Sequence, residues 1–332
     1  MKYLSYINAH SLNEFQLELK EKEMNNPEGF EVLVKNKAIG LNPVDFKIRK
    51  NRSAEVGKEV ILGWDGSGRI VSVGPLVKNF KIGDEVYFSG DLKKDGSYSE
   101  LQLVDSRIVS LKPKNFTFAE SAGIPLTFLT AYEMLFEKFK LKSDFNGNVL
   151  ILGGGGGVGS AAIQLLKNKT NAKIFASASR KESNEWIKKL GADEVVSHLN
   201  YPRELNELGI QNVDYIFCTN QTDSHLINMN EIIAPFGEIG MIDEPSQFNI
   251  LQFKSKSVSL HQLLMFTKTL YDFKVESQGK ILNEIKNLAE NNKIISPSRL
   301  LLNGLTVENI KNGHELLESN KSIGKIVISI EE

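Results

Sequence analysis

The stretch Asn148-Val-Leu-Ile-Leu-Gly153-Gly154-Gly155-Gly156-Gly157-Val158-Gly159 constrains this chain more than any other. A short apolar run, Val149 to Leu152, enters five consecutive glycines. It leaves through Val158-Gly159 into Ser160-Ala-Ala-Ile-Gln-Leu-Leu-Lys167, which is rich in helix formers. Gly154, Gly156 and Gly159 fill a G-x-G-x-x-G frame between a strand and a helix. In that frame the first glycine permits a tight turn, and the second lets a pyrophosphate approach the backbone. The third lets the helix pack closely on its strand, and the helix N-terminus, with the backbone of Gly157 and Val158, faces the anion. The expectation is a dinucleotide-binding unit opening near residue 149.

A chain of 332 residues has room for two domains with cores of their own. Its hydrophobic content of 41% and charged content of 24% are those of an ordinary water-soluble protein. A net charge of -1 gives no reason to expect nucleic acid or an anionic membrane as partner. No apolar run approaches the roughly 18 residues of a membrane helix, and the first residues lack the apolar core of a signal peptide. One cysteine, Cys218, leaves no internal disulfide and suits a reducing cytoplasm.

Residues up to about 110 read as short strands broken by glycine turns, which suggests a compact barrel-like domain. Thr117-Phe-Ala-Glu120 fits a capping box, and Pro125 separates a short helix from a longer one through Leu135, a connection between domains. From Val149 strands alternate with helices: Val149–Leu152, Lys173–Ala178, Glu194–Ser197, Val213–Cys218, Gly237–Ile242 and Val258–Leu260 are the strands. The helices are Val158–Lys167, Ser183–Leu190, Tyr201–Leu208 and Ser224–Ala234, so a parallel doubly wound sheet is expected. Helices at Leu282–Asn291 and Val307–Glu318 follow. The final apolar strand, Lys325–Ile330, is expected to return to the first domain.

Several segments together resemble the medium-chain dehydrogenase/reductase superfamily. They are Asn42-Pro-Val-Asp45, Gly63-Trp-Asp-Gly-Ser-Gly68, Gly83-Asp-Glu-Val86, Gly96-Ser-Tyr98, Pro125-Leu-Thr-Phe-Leu-Thr-Ala-Tyr-Glu133, Gly156-Gly-Val-Gly159, Leu190-Gly-Ala-Asp193 and Ile323-Gly-Lys-Ile-Val327. Their order covers almost the whole chain and is most similar to the zinc-independent quinone oxidoreductase branch, including members named zinc-type alcohol dehydrogenase-like proteins. The resemblance implies a GroES-like β-barrel domain, residues 1–125 with 262–332, and a Rossmann domain, residues 126–261. It also implies a homodimer joined through edge strands around residues 248–260.

Zinc members of the superfamily carry Cys where Asn42 stands and Gly-His-Glu where this chain reads Gly63-Trp64-Asp65. With one cysteine and five histidines that show no paired spacing, no zinc is expected. The residues after the second Rossmann strand, Ser177-Ala-Ser179-Arg180-Lys181, hold hydroxyls and cations where NAD binders hold an acid. They suit a ribose 2′-phosphate and hence NADPH. By resemblance Thr127 and Thr130 lie near the nicotinamide and Cys218 and Thr219 border the adenosine side. Gly240 and Met241 offer backbone to the carboxamide, and Lys325 joins the cofactor set.

Without a metal, a quinone or an α,β-unsaturated carbonyl is an easier hydride acceptor than a simple ketone, because the charge spreads over a conjugated system. Asn42 offers an amide donor to that oxygen, Tyr98 a phenol that can deliver a proton, and Asp45 an ion pair with Arg49 that fixes the loop. Trp64 is read as an apolar wall of the substrate site. Each has a structural role beside it: Asn42-Pro43 as a turn, Asp45 as a helix cap, Tyr98 as core. The leading expectation is an NADPH-dependent, metal-free quinone or enone reductase. A zinc alcohol dehydrogenase and a nucleotide-binding protein without turnover, crystallin- or sensor-like, are the alternatives.

Overall fold

The computed structural model describes residues 1–330. The chain divides into two compact units, Met1–Leu129 with the chain from Phe266 onward, and Thr130–Met265. Among the described residues no helix is long and apolar enough to cross a membrane.

The first unit begins with β1 (Lys2–Tyr6), β2 (Glu18–Glu21), β3 (Glu31–Leu41), α1 (Pro43–Asn51), β4 (Val60–Ile61) and β5 (Asp65–Val73). β6 (Glu85–Ser89), β7 (Leu101–Asp105), β8 (Val109–Leu111), α2 (Phe118–Ala122) and α3 (Pro125–Tyr132) follow. β3 is its longest strand, pairing β5 along one edge and β7 and β16, introduced below, along the other. Its residues Val32, Val34, Ala38, Ile39 and Leu41 are all buried. The Thr117 capping box opens α2 as expected, with the Thr117 hydroxyl accepting from the Glu120 N–H at 3.1 Å.

The second unit is built from β9 (Asn148–Leu152), α4 (Gly157–Lys169), β10 (Lys173–Ser177), α5 (Lys181–Leu190), β11 (Glu194–Val196), α6 (Tyr201–Glu207), β12 (Val213–Cys218), α7 (Thr222–Ile232), β13 (Ile233–Met241) and β14 (Ser259–Gln262). The six strands pair in the order β11-β10-β9-β12-β13-β14, every pair parallel. The order reverses at β9, which is the doubly wound arrangement expected. Val149 to Leu152 are all fully buried, as a central parallel strand covered on both faces requires. α5 buries Ser183, Trp186, Ile187 and Leu190, spaced for one helical face, and stops at Gly191 in the left-handed region with φ +107°. α7 ends sooner than its apolar composition suggests: Ile233 and Ala234 already belong to β13.

The chain then supplies α8 (Thr267–Leu270), α9 (Glu276–Glu290), β15 (Ser298–Asn303), α10 (Val307–Glu318) and β16 (Lys325–Ser329) to the first unit. β16 returns as expected and pairs antiparallel with β3, Ile326 opposite Leu41. The seven-stranded sheet runs β15-β16-β3-β5-β6-β8, with β7 on β3, and no pairing closes it among the described residues. The expected barrel is therefore not confirmed by the pairing, which leaves a sheet with two ends. Its two ends, β15 and β8, find no partner in each other.

Candidate active site

The turn from β3 into α1 places Asn42 and Asp45 in the polar core of the first unit. Asn42 is extended, with φ -136° and ψ 154°, and Pro43 supplies the first helical position without needing a donor. Asp45 reaches back so that its Oδ2 accepts the Asn42 backbone N–H at 2.8 Å. The cap and the polar site are thus the same residues.

Two layers of buried polar side chains surround this turn. In one, the Lys325 ammonium on β16 donates to Leu41 O at 2.8 Å, Asn42 Oδ1 at 2.6 Å and Asp65 Oδ2 at 2.9 Å. Asn42 Nδ2 donates to Asp65 Oδ2 at 2.8 Å and, more weakly, to Gly40 O at 3.4 Å. Asp65 Oδ1 accepts the Leu126 N–H at 2.7 Å, which ties β5 to the start of α3. Lys325, expected in the cofactor set, has all of its ammonium hydrogens engaged within the first unit.

In the other layer, Tyr98 Oη lies 2.9 Å from Asp45 Oδ2 and 2.9 Å from His314 Nε2. Arg49 Nη1 lies 3.2 Å from His314 Nδ1, and Arg49 Nη2 donates to Glu318 Oε1 at 2.5 Å. The direct Asp45–Arg49 ion pair expected from their spacing does not form. Arg49 turns instead to Glu318, which also holds Lys50 at 2.5 Å. His314 comes from the buried face of α10, with Ile310, Gly313 and Leu317, so in sequence it reads as one polar residue in an apolar stripe. Gly63, at φ +94°, lets the Tyr98 ring lie against the backbone, since a Cβ there would sit 2.4 Å from Tyr98 Cδ1.

Burial sets the protonation of this layer. It lifts the Asp45 carboxyl from 3.8 to about 7, against the pull of the Asn42 N–H, the Tyr98 hydroxyl and Lys325, with Asp65 adding to the rise. Burial, aided by Arg49, lowers His314 to about 3, so the imidazole is neutral. Burial, with Asp45 beside it, raises the Tyr98 phenol well above its ordinary value. Trp64 is fully buried, its indole N–H donates to Asp91 O at 3.1 Å, and its ring packs edge-on to Phe266. Among the described residues no group of three or more His, Cys, Asp or Glu side chains is gathered to hold a metal ion.

In the second unit the tight turn belongs to Gly153, at φ +81°, rather than to Gly154. Gly153 N–H donates to Ser177 Oγ at 3.0 Å, and that hydroxyl pairs with His198 Nδ1 at 2.8 Å. Ser177 therefore braces the turn from inside, fully buried, while Ser179, Arg180 and Lys181 stand exposed beyond it. Gly154 packs on the neighbouring strand: a Cβ would lie 2.9 Å from Ala176 Cβ and 3.1 Å from Ile187 Cδ1. The glycine at 154 thus lets the turn pack closely against β10 and α5. Gly159 gives the close helix–strand approach, with a Cβ 2.3 Å from Gly153 O.

Gly156 differs. Its φ of -78° and ψ of 177° suit any residue, and a Cβ would meet nothing closer than Gly153 O at 3.5 Å. The protein's own packing leaves that position room, and α4 starts there with no side-chain cap on its first N–H groups. An uncapped helix start with an open cradle fits a dinucleotide's pyrophosphate. Thr219 Oγ1 donates to Leu152 O at 2.8 Å beside this turn, and burial pushes the Cys218 thiol up to about 12. Gly240 gives room to Met134 and Phe139, and Met241 is buried. On α3, Thr127 and Thr130 are buried; the Thr127 hydroxyl donates back to its own helix, 3.0 Å from Ile124 O.

Two family models match the chain: the alcohol dehydrogenase GroES-like domain over residues 28–114 and the zinc-binding dehydrogenase over residues 157–277. A zinc-type alcohol dehydrogenase-like protein of Staphylococcus aureus is 35% identical over 99% of this chain and 100% of its own length. The NADPH-dependent alkenal/one oxidoreductase of Arabidopsis chloroplasts is 30% identical over 90% of this chain and 72% of its own. A crystal structure of a proposed zinc-dependent alcohol dehydrogenase protein from Rhizobium etli superposes with a TM-score of 0.95 at 36% identity, covering 99% of this chain and 98% of that one. With matching family models in both units and a full-length relative above 30% identity, the chain belongs to the medium-chain dehydrogenase/reductase superfamily of oxidoreductases.

Proposed function

We propose that this protein is an NADPH-dependent reductase of quinones or α,β-unsaturated carbonyl compounds that works without a catalytic metal. The observation that carries the reading is the cation at the Asn42 turn, which is the ammonium of Lys325. The donors there do not fit a zinc ion. Leu41 O, Asn42 Oδ1 and Asp65 Oδ2 already converge on that ammonium, and both ring nitrogens of His314 are engaged by Tyr98 and Arg49. An acceptor that delocalises its own charge suits such a site better than a simple ketone.

NADPH, when bound, supplies a hydride. The residues of this chain bind, orient and hold protons. The backbone N–H groups from Gly156 to Gly159 would face the pyrophosphate, and Ser179, Arg180 and Lys181 the 2′-phosphate. The assignments of Thr127, Thr130, Cys218, Thr219, Gly240 and Met241 to the cofactor belong to the same proposal. The weakly held second N–H of Asn42 Nδ2 is the donor offered to the acceptor oxygen. Trp64, its one donor satisfied by Asp91, offers only an apolar face. Tyr98 has its hydroxyl committed to Asp45 and His314, so proton storage passes from Tyr98 to Asp45.

The relative named for NADPH-dependent alkenal/one reduction supports this reading at 30% identity. The test is NADPH oxidation with 9,10-phenanthrenequinone and a simple enone, compared with NADH and repeated in Arg180→Ala. The reading expects steady turnover and a preference for NADPH of at least about tenfold that Arg180→Ala erodes. Nucleotide binding with no turnover across a broad acceptor panel favours the binding-protein alternative. Equal efficiency with NADH removes the assignment of Arg180 and Lys181.

A further inference from the structure

Five side chains run in one hydrogen-bonded line through the polar core of the first unit: Glu318, Arg49, His314, Tyr98 and Asp45. The last four are fully buried. The direction of every bond in the line is set by Arg49. A guanidinium only donates, so His314 Nδ1, 3.2 Å from Arg49 Nη1, must accept. The neutral imidazole then carries its hydrogen on Nε2, and Tyr98 Oη, 2.9 Å away, accepts it. The tyrosine's own hydrogen is left for Asp45 Oδ2, also at 2.9 Å.

The reverse direction is closed. It would need Tyr98 to donate to Nε2 and His314 to carry its hydrogen on Nδ1, where it would meet the Arg49 donor head-on. Asp45 Oδ2 receives both Tyr98 and the Asn42 N–H, whereas Asp45 Oδ1 is buried and has no hydrogen-bond partner. A proton that arrives at Asp45 therefore sits on Oδ1.

We propose that Arg49 and His314 are positioning residues that fix the direction of this line and confine proton exchange in the polar core to Oδ1 of Asp45. The groups facing Asp45 are Tyr98 from the segment before β7, Asp65 on β5 and Lys325 on β16, with His314 on α10 and Arg49 on α1 behind Tyr98. The upward shift of the Asp45 carboxyl to about 7 agrees with the geometry. The use of that proton rests on the proposed reductase reading. There, NADPH would supply the hydride, and Asp45 would supply the proton that completes the saturated product and would regain one from water.

The test reads Asp45 itself and needs no turnover. In protein labelled with 13C-aspartate, the Asp45 carboxyl resonance is the one that Asp45→Asn removes, and its position is followed against pH. The wild-type midpoint is expected near 7. Tyr98→Phe should raise it by about one pH unit, the effect of one lost hydrogen bond to the carboxylate, and His314→Leu, which keeps that bond but releases the hydroxyl's orientation, should raise it by a smaller amount. The double variant should titrate where Tyr98→Phe does, because His314 acts through that hydroxyl. His314→Gln, which keeps an N–H for Tyr98, should return most of the shift.

Should His314→Leu not fold, Arg49→Met gives the same comparison. It frees Nδ1 to hold the hydrogen, lets Tyr98 turn to Nε2, and raises the midpoint only while the Tyr98 hydroxyl is present. A wild-type midpoint below about 5, in the ordinary carboxylate range, overturns the proposal. So does a His314→Leu or Arg49→Met shift of the same size in the Tyr98→Phe background. A failed turnover assay with this titration intact removes the reductase reading alone.

Discussion

The Lys325 ammonium and the Asp65 carboxylate form a buried ion pair, Nζ to Oδ2 at 2.9 Å, with side chains 4% and 0% exposed. The pair joins the last strand to the first long hairpin, and Asn42 lies between its members. Removing one partner leaves an uncompensated buried charge, which costs about 3–5 kcal/mol. Lys325→Met is expected to lower unfolding stability by that amount in urea. A loss below about 1 kcal/mol would show that the cation is not needed to hold Asp65.

Asp45 and His314 pull the pH dependence of stability in opposite directions. Asp45 titrates at about 7 folded and near 3.9 unfolded, so its contribution falls as pH rises from about 4 to 7. His314 titrates at about 3 folded and near 6.5 unfolded, so its contribution rises with pH from about 3 to 6.5. Over the shared window the two offset, because folding moves a proton from His314 to Asp45. Asp45→Asn should therefore gain stability with rising pH between about 4 and 6.5, and His314→Leu should lose it. Urea midpoints measured across that window check both slopes; slopes of the same sign contradict the assignment.

Two glycines in the nucleotide loop separate packing from binding. Gly159→Ala puts a Cβ 2.3 Å from Gly153 O and is expected to destabilise the fold by several kcal/mol. Gly156→Ala meets the protein only at 3.5 Å, so stability should change by less than about 1 kcal/mol while NADPH affinity falls at least about tenfold. Thermal melts and fluorescence titration with NADPH measure the two effects. Unchanged affinity in Gly156→Ala would mean that this cradle holds no pyrophosphate.

β14 is the outer strand of the second unit's sheet and, among the described residues, pairs only with β13. The residues leading into it include Ile250 and Leu251, which are exposed. An uncovered strand edge beside apolar side chains needs a partner, and a second copy of this chain would extend the sheet. We propose that homodimer. Sedimentation should give twice the mass of one chain at micromolar concentration, and Leu260→Pro should halve it; a single-chain mass in the unaltered protein removes the proposal.

The alternation from Val149 to Leu260 was legible because short apolar runs alternate with helical stretches whose ends are marked, as Gly191 marks the end of α5. The boundary between α7 and β13 was not. Ile232, Ile233 and Ala234 are equally apolar, and the change of element depends on a parallel partner, Val213 opposite Ile233. β15 escaped notice because its Leu300-Leu-Leu302 run shows no polar alternation and none of the three is fully buried. At the site, Asn42 and Asp45 announced themselves through the Asn-Pro-x-Asp turn. The line from Arg49 to His314 did not, since it joins residues 265 positions apart. Spacing along one helix suggested Asp45 with Arg49; only the fold shows that Tyr98 and His314 stand between them.

Hydride transfer from NADPH to a conjugated acceptor is read without ambiguity by isotope transfer. Incubating the enzyme with an enone and NADPH deuterated at either face of C4, then analysing the product by NMR, reads the destination of the hydride. The account expects one face to deliver deuterium to the β-carbon of a saturated ketone. Deuterium on the carbonyl carbon of an allylic alcohol, or none in any product while NADPH binds, would contradict it.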